Sequence, residues 1–214
     1  MRHELHGLFP SPVYVAKYIP DRELDAKQNA TDIEDIIKEG ILNTLPHPAH
    51  LSIQSNDSHI FDTKLHNIKK CIEDHIKEYV REVINPAEEL EYYITQSWLN
   101  ITRPNQEHHQ HRHGNSIISG VFYVKTWEHD SISFHDAKAP IVQRMELAPK
   151  EYQIWNSAEW YIPVEDNNIL LFPSWLEHGV NINPTATGDR ISIAFNVFAK
   201  GIFGASGALN ELII

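Results

Sequence analysis

Cysteine is nearly missing: Cys71 is the single one in 214 residues, so neither an intrachain disulfide nor a thiolate metal cluster can form. Cationic residues are scarce too. Eighteen Lys and Arg stand against 29 Asp and Glu, a formal net charge of −11 at pH 7. That balance argues against a protein whose main work is gripping phosphate backbones or anionic lipid surfaces. No apolar run approaches the roughly 18 residues that a membrane-spanning helix needs. The opening MRHELHGLFPSPVYV lacks the basic-then-apolar order of a secretory signal. Nor does any repeat, low-complexity tract or Gly/Ser-rich linker divide the chain. The expectation is one acidic, cytoplasmic domain over residues 1–214, with nucleic acid and membrane set aside as partners. What the chain does have is apolar material for a core, at 42% of residues, and 14 histidines. Four of those lie between His108 and His113.

The chain changes character near residue 90. Before it, Phe61, Leu65, Ile68, Ile72, Ile76, Tyr79, Val80 and Val83 recur at steps of three and four. This predicts an amphipathic helix over 61–84, capped by Asp62 and stopped by Asn85-Pro86. A weaker pattern over 21–45 carries Leu24, Ile33, Ile36, Ile37 and Ile41, and a short strand over 13–18 precedes it. After residue 90 the period switches to two. Strands are predicted over 91–101, 116–124, 131–135, 169–172, 178–182 and 190–198, with turn signals between several of them. Short strands without intervening helices imply an antiparallel sandwich or barrel. SIISGVFYV is apolar on both faces, as a central strand covered by helices on one side and a second sheet on the other must be. The fold class is therefore α+β: a helical support layer over residues 1–90 on a double-sheet core over 91–214.

His109, His111 and His113 share one face of any extended strand. A histidine-rich loop can be merely exposed and polar, so a second site is needed to give the spacing meaning. His178 supplies it, after the buried run ILLF and an FPS turn. Twelve residues later Arg190 opens RISIAFNVF, where alternation sets Arg190, Ser192, Ala194 and Asn196 opposite Ile191, Ile193, Phe195 and Val197. A guanidinium in so buried a strand needs an anionic partner. The order His-x-His, a long gap, one His, then Arg-x-Ser suits a metal inside a double-stranded β-helix (jelly roll). Three ligands on one face of an octahedral Fe(II) leave room for a bidentate 2-oxo acid and O2. The far carboxylate of that acid then calls for a guanidinium and a hydroxyl.

At this point the chain resembles the 2-oxoglutarate/Fe(II)-dependent dioxygenases, most closely a branch common in marine bacteria, cyanobacteria and their phages. The strings that carry the likeness are SWLN (97–100), HRHGNSIISGVFYV (111–124), LLFPSWLEHGV (170–180) and RISIAFN (190–196). Looser matches are LFPSPVYV (8–15) and SIQSNDSHIF (52–61). The resemblance implies a jelly-roll core with N-terminal helices on its major sheet. It implies iron ligands at His111, His113 and His178, and 2-oxoglutarate bound by Arg190 and Ser192 with Tyr123 and Asn100 nearby. It further implies Fe(II), 2-oxoglutarate and O2 as cofactor and co-substrates, with ascorbate as a supporting reductant. The implied reaction is hydroxylation of a small-molecule or peptidyl substrate with release of succinate and CO2. Related enzymes of this fold are commonly homodimers.

The wider superfamily carries a carboxylate where His113 stands, which leaves other occupants open for the second ligand: Asp130 or Asp136 on a loop, or an exogenous anion. Gly114 replaces a proline that often follows in the branch. A metal-binding jelly roll that holds a ligand without catalysis, and a zinc hydrolase, share the three-histidine pattern. The buried Arg190/Ser192 pair favours the oxygenase over both. Trp155, Trp160 and Trp175 are placed near the presumed mouth, while Cys71 reads as packing.

Overall fold

The computed structural model describes residues 3–44, 48, 51–136, 148–184, 188–205 and 207–214. In chain order the N-terminal elements are β1 (Tyr14–Lys17), α1 (Glu23–Leu42), β2 (Ile53–Gln54), α2 (Ile60–Thr63) and α3 (His66–Tyr79). Next come β3 (Glu91–Thr102), β4 (His108–His111), β5 (Ile118–Lys125), β6 (Ser131–His135) and β7 (Glu159–Pro163). The last are β8 (Asn168–Pro173), β9 (Glu177–Val180), β10 (Arg190–Lys200), β11 (Ile202–Phe203) and β12 (Leu212–Ile213). No helix is long and apolar enough to cross a membrane among the described residues.

Two antiparallel sheets face each other as a double-stranded β-helix. The major sheet runs β1-β8-β5-β10-β3-β2, and the minor one β4-β9-β6-β7. β10 is the centre of the first, paired with β3 on one side and β5 on the other. Its odd residues, Ile191, Ile193, Phe195 and Val197, join Ile68, Ile72 and Ile76 of α3 in the larger apolar cluster. Ile169 and Leu171 of β8 and Ile118 and Phe122 of β5 face the same way. Their neighbours Leu170, Phe172 and Tyr123 point instead to Ile132 and Phe134 of β6, forming the cluster between the sheets. Strands apolar on both faces are thus sandwiched between helices and a second sheet, and each such side chain contributes about 1.5–3 kcal/mol by leaving water.

The support layer does not end cleanly at residue 90. β1 pairs with β8 and β2 with β3, so the first 90 residues also supply both edges of the major sheet. The helix expected over 61–84 is broken. Leu65 takes a left-handed conformation (φ 58°) between α2 and α3, and its N–H is held by the Asp32 carboxylate at 2.8 Å. Asp62 therefore lies inside α2 instead of capping a longer helix, and its carboxylate meets Lys69 Nζ at 3.2 Å. Past Tyr79 the chain winds into a π-helical turn over Val80–Ile84, which rotates Val83 out to solvent. On α1, Leu24 and Ile41 are also exposed; Ile36 carries the buried face, with Ile33 and Ile37 partly covered. β4 and β7 escape sequence detection because HHQH and EWYIP show no apolar alternation.

Gly120 on β5 lies opposite Phe195 of β10, and a Cβ there would come within 2.1 Å of the Phe195 ring. Gly120→Ala is expected to lower stability by about 1–3 kcal/mol through overpacking, read as a reduced urea midpoint at unchanged slope.

Candidate metal and anion site

Register places two of the three histidines. His111 ends β4 and is paired directly with His178 on β9, their ring centroids 4.4 Å apart. His113 lies just beyond β4, where its N–H donates to Ser174 C=O at 3.0 Å. One donor atom from each ring falls within 4.8 Å of the others. His178 is buried; His111 and His113 are half-buried at the cavity wall.

All three rings give their Nδ1 proton to a carbonyl oxygen. His111 donates to His109 C=O at 2.8 Å, His178 to Leu176 C=O at 3.0 Å, and His113 to Asn196 Oδ1 at 2.6 Å. An oxygen acceptor fixes the tautomer, leaving each Nε2 with a lone pair. Burial, and secondarily the neighbouring imidazoles, push His178 down to about 3, while burial takes His111 down to about 4. Burial lowers His113 as well. The rings are neutral donors at pH 7. His111 Nε2 and His113 Nε2 stand 3.1 Å apart with no proton between them, a repulsive contact unless a cation sits there. Neighbouring ligands on an octahedral first-row ion, with bonds of about 2.1 Å, stand roughly 3 Å apart. Three neutral imidazole donors gathered within 4.8 Å of one another are the donor chemistry that a divalent transition metal takes.

His109 does not share the cavity face expected of it: the pairing of β4 with β9 shifts between His108 and His111, and those two line the cavity. His109 is exposed, stacked on His108 at 5.3 Å, and serves through its carbonyl. His108 lines the cavity, with Nδ1 3.2 Å from Ser52 Oγ, and burial drives it to about 3.

The anion-binding residues expected from sequence lie together on the same cavity. Ser192 is in register with Asn100 on β3 and Tyr123 on β5, so the three form one row across the major sheet. Arg190 is buried one step along, its guanidinium 4.9 Å from the Tyr123 ring centroid and 5.8 Å from that of Trp127. Its Nε already donates to Asp130 Oδ2 at 2.8 Å, with both side chains almost fully enclosed. Arg190 Nη2 and Tyr123 OH are buried near each other, and neither makes a hydrogen bond of full geometry among the described residues. Two enclosed donors, one charged, call for an acceptor between them. Burial pushes the Tyr123 phenol up to about 12, so it stays a protonated donor.

Asp130 is a correction. The sequence offers it as an alternative second metal ligand, but its carboxylate is paired with Arg190; neither it nor Asp136 joins the histidine group among the described residues. Burial raises its pKa more than Arg190 lowers it. Asn196 was legible as an inward-facing residue but not as the partner of His113. The cavity is also lined by apolar Val121, Ile132, Phe172 and Val180. Trp98 stands in its wall, stacked on His113, whereas Trp155, Trp160 and Trp175 are outside its lining and largely exposed.

Residues 96–196, which contain every one of these site residues, match the model of a family described as "Putative 2OG-Fe(II) oxygenase". No curated protein matches in sequence. Among solved structures, the α-ketoglutarate-dependent carbocyclase SnoK of nogalamycin biosynthesis is similar over 89% of this chain and 81% of its own, with TM-score 0.59 and 9% identity. HygX from Streptomyces hygroscopicus, with nickel, 2-oxoglutarate and hygromycin B bound, gives TM-score 0.54 and 13% identity over 87% and 82%. A Pseudomonas putida prolyl-4-hydroxylase gives TM-score 0.52 and 12% identity over 87% and 92%. These likenesses are of fold.

Removing one partner of the enclosed ion pair leaves a charge without water or counterion. Asp130→Ala is expected to cost about 3–5 kcal/mol of stability in urea unfolding, well beyond the effect of an exposed pair such as Lys17–Glu165.

Proposed function

From the premise that this chain belongs to the 2-oxoglutarate/Fe(II) oxygenase family, we propose that it hydroxylates an organic substrate, with His111, His113 and His178 holding the iron. Bound there, Fe(II) would supply coordination positions for the 2-oxo acid and O2, together with the redox chemistry of oxidative decarboxylation. The balance is substrate C–H plus O2 plus 2-oxoglutarate giving C–OH, succinate and CO2.

The chain's own residues prepare that exchange. The three carbonyl-held Nδ1 protons leave every Nε2 lone pair free for a metal. Arg190 Nη2 and the Tyr123 hydroxyl, enclosed and without a hydrogen bond of full geometry, donate to the far carboxylate of the 2-oxo acid. Ser192 adds a hydroxyl in the same row, with Asn100 beside it. Asp130 grips Nε and so fixes the plane of the guanidinium fork. Val121, Ile132, Phe172 and Val180 give the cavity an apolar wall beside these groups. The single observation that carries the reading is the coincidence, in one cavity, of a three-imidazole donor set and an enclosed guanidinium with a free N–H.

Charge supports it as well. A divalent ion, Arg190, Asp130 and a doubly ionised 2-oxo acid sum to zero with three neutral imidazoles as ligands. A carboxylate at position 113 would leave that buried assembly at −1. The substrate, a small molecule or a peptidyl side chain, then approaches on the side bounded by Trp98.

Anaerobic addition of Fe(II) and 2-oxoglutarate should produce a weak visible charge-transfer band, and aerobic turnover with ascorbate should release succinate. His178→Ala should abolish iron binding. Arg190→Lys keeps the charge but loses the fork, and should weaken 2-oxoglutarate binding by roughly 10–100-fold while iron binding persists. Metal binding without the band or succinate would instead favour a non-catalytic ligand-binding jelly roll.

A further inference from the structure

We infer that Asn196 is the positioning residue that makes a histidine at 113 work as a metal donor, an inference that rests on the three-histidine reading above. His111 and His178 are oriented locally, each donating Nδ1–H to the carbonyl two residues earlier in its own strand or turn. His113 has no such arrangement. Its Nδ1 proton goes to the Asn196 side chain, 83 residues away on the opposite sheet, at 2.6 Å.

Several features aim that amide. The register of β10 against β3 shifts between Asn196 and Val197, so Asn196 opposes Gln96 while Val197 opposes Ile94. The residue skipped is Thr95, whose hydroxyl donates to Asn196 C=O at 3.2 Å. The extra residue belongs to β3, so the alternation of β10 runs on undisturbed and Asn196 keeps its inward direction. Gln96 Oε1 accepts from Asn196 Nδ2 at 3.5 Å, which orients Oδ1 toward the imidazole. Trp98 stacks on His113 at 5.8 Å and 25°, which restrains the ring plane.

The chemical consequence concerns where one proton resides. An amide oxygen only accepts, so His113 keeps its proton on Nδ1 and turns a bare Nε2 toward His111 Nε2, 3.1 Å away. The other tautomer would place N–H inside the donor set and remove one ligand. An amide also does this without adding charge, which preserves the neutral total that a carboxylate at 196 would disturb.

Two readouts test it, neither of them turnover. Long-range ¹H–¹⁵N NMR of the metal-free protein at neutral pH reports the His113 tautomer, and Co(II) titration followed by its visible spectrum reports affinity. Wild type should show Nδ1–H at His113. Asn196→Leu, similar in volume but without an acceptor, should lose that tautomer preference and bind Co(II) roughly 10–100-fold more weakly. Asn196→Asp, which keeps the acceptor and the shape, should retain Nδ1–H and bind at least as tightly as wild type. Asn196→Ala replaces the leucine variant if that one does not fold. Wild-type tautomer and affinity in the variants without an acceptor would overturn the inference alone. So would an Asn196→Asp loss as large as theirs, since packing would then explain both. Failure of the wild type itself to bind Co(II) would overturn the three-histidine reading and this inference with it.

Discussion

The period-two alternation of β10, clamped between β3 and β5, is the constraint on which the molecule depends. Ile191, Ile193, Phe195 and Val197 are locked into the helix-facing cluster, and that commitment turns Arg190, Ser192, Ala194 and Asn196 toward the other sheet. A slip of one residue would bury the guanidinium among isoleucines, so the hydrophobic register enforces the polar one. Both ends of the proposed chemistry sit on this strand. Arg190 reaches the anion end, and Asn196, six residues on, reaches the metal end. A strand rises roughly 3.3 Å per residue, so the two are about 20 Å apart along the backbone, and long side chains must close the gap.

Enclosed charge is the second organising fact. Arg190 and Asp130 are both sealed from solvent, an arrangement that costs desolvation on each side and stabilises only through good geometry. Here the geometry is incomplete by design of the donor count: Nε is satisfied and Nη2 is not. A structural pair would ordinarily use the fork in full. Leaving one donor free beside a phenol that also lacks a hydrogen bond of full geometry keeps a place for an incoming carboxylate, while Asp130 keeps the guanidinium tolerable when that place is not filled.

Much of this was legible in the sequence, and the reasons are physical. RISIAFNVF and SIISGVFYV are near-continuous apolar runs bounded by turn signals because both sheet faces are covered, so β5, β8 and β10 announce themselves. The two-residue spacing of His111 and His113 and the turn before His178 pointed to one site, and the structure brings those three rings together. What stayed hidden depends on tertiary contact. β4 reads as a polar loop because its strand character comes from pairing with β9 and not from its own side chains. The break at Leu65 is held by Asp32 from a different helix, a contact no local pattern encodes. Asp130 reads from the sequence only as an alternative metal ligand; its pairing with Arg190 comes from the fold.

The two sheets meet the donor set unequally, and this bears on how the site is kept in shape. His111 and His178 belong to the minor sheet and are held by their own backbone, so they move as a unit with β4 and β9. His113 takes its backbone bond from Ser174, at the end of major-sheet strand β8, and its side-chain bond from β10. The 3.1 Å separation of His111 and His113 Nε2 therefore depends on both sheets as well as on the two-residue link, and Tyr123, Phe134, Leu170 and Phe172 pack between the sheets. Close-packed interiors resist small changes in spacing, because each displaced side chain forfeits dispersion contacts that are individually slight and collectively large. The apolar cluster thus helps to space the donor set: residues without chemistry bear on the distance at which the chemistry is offered.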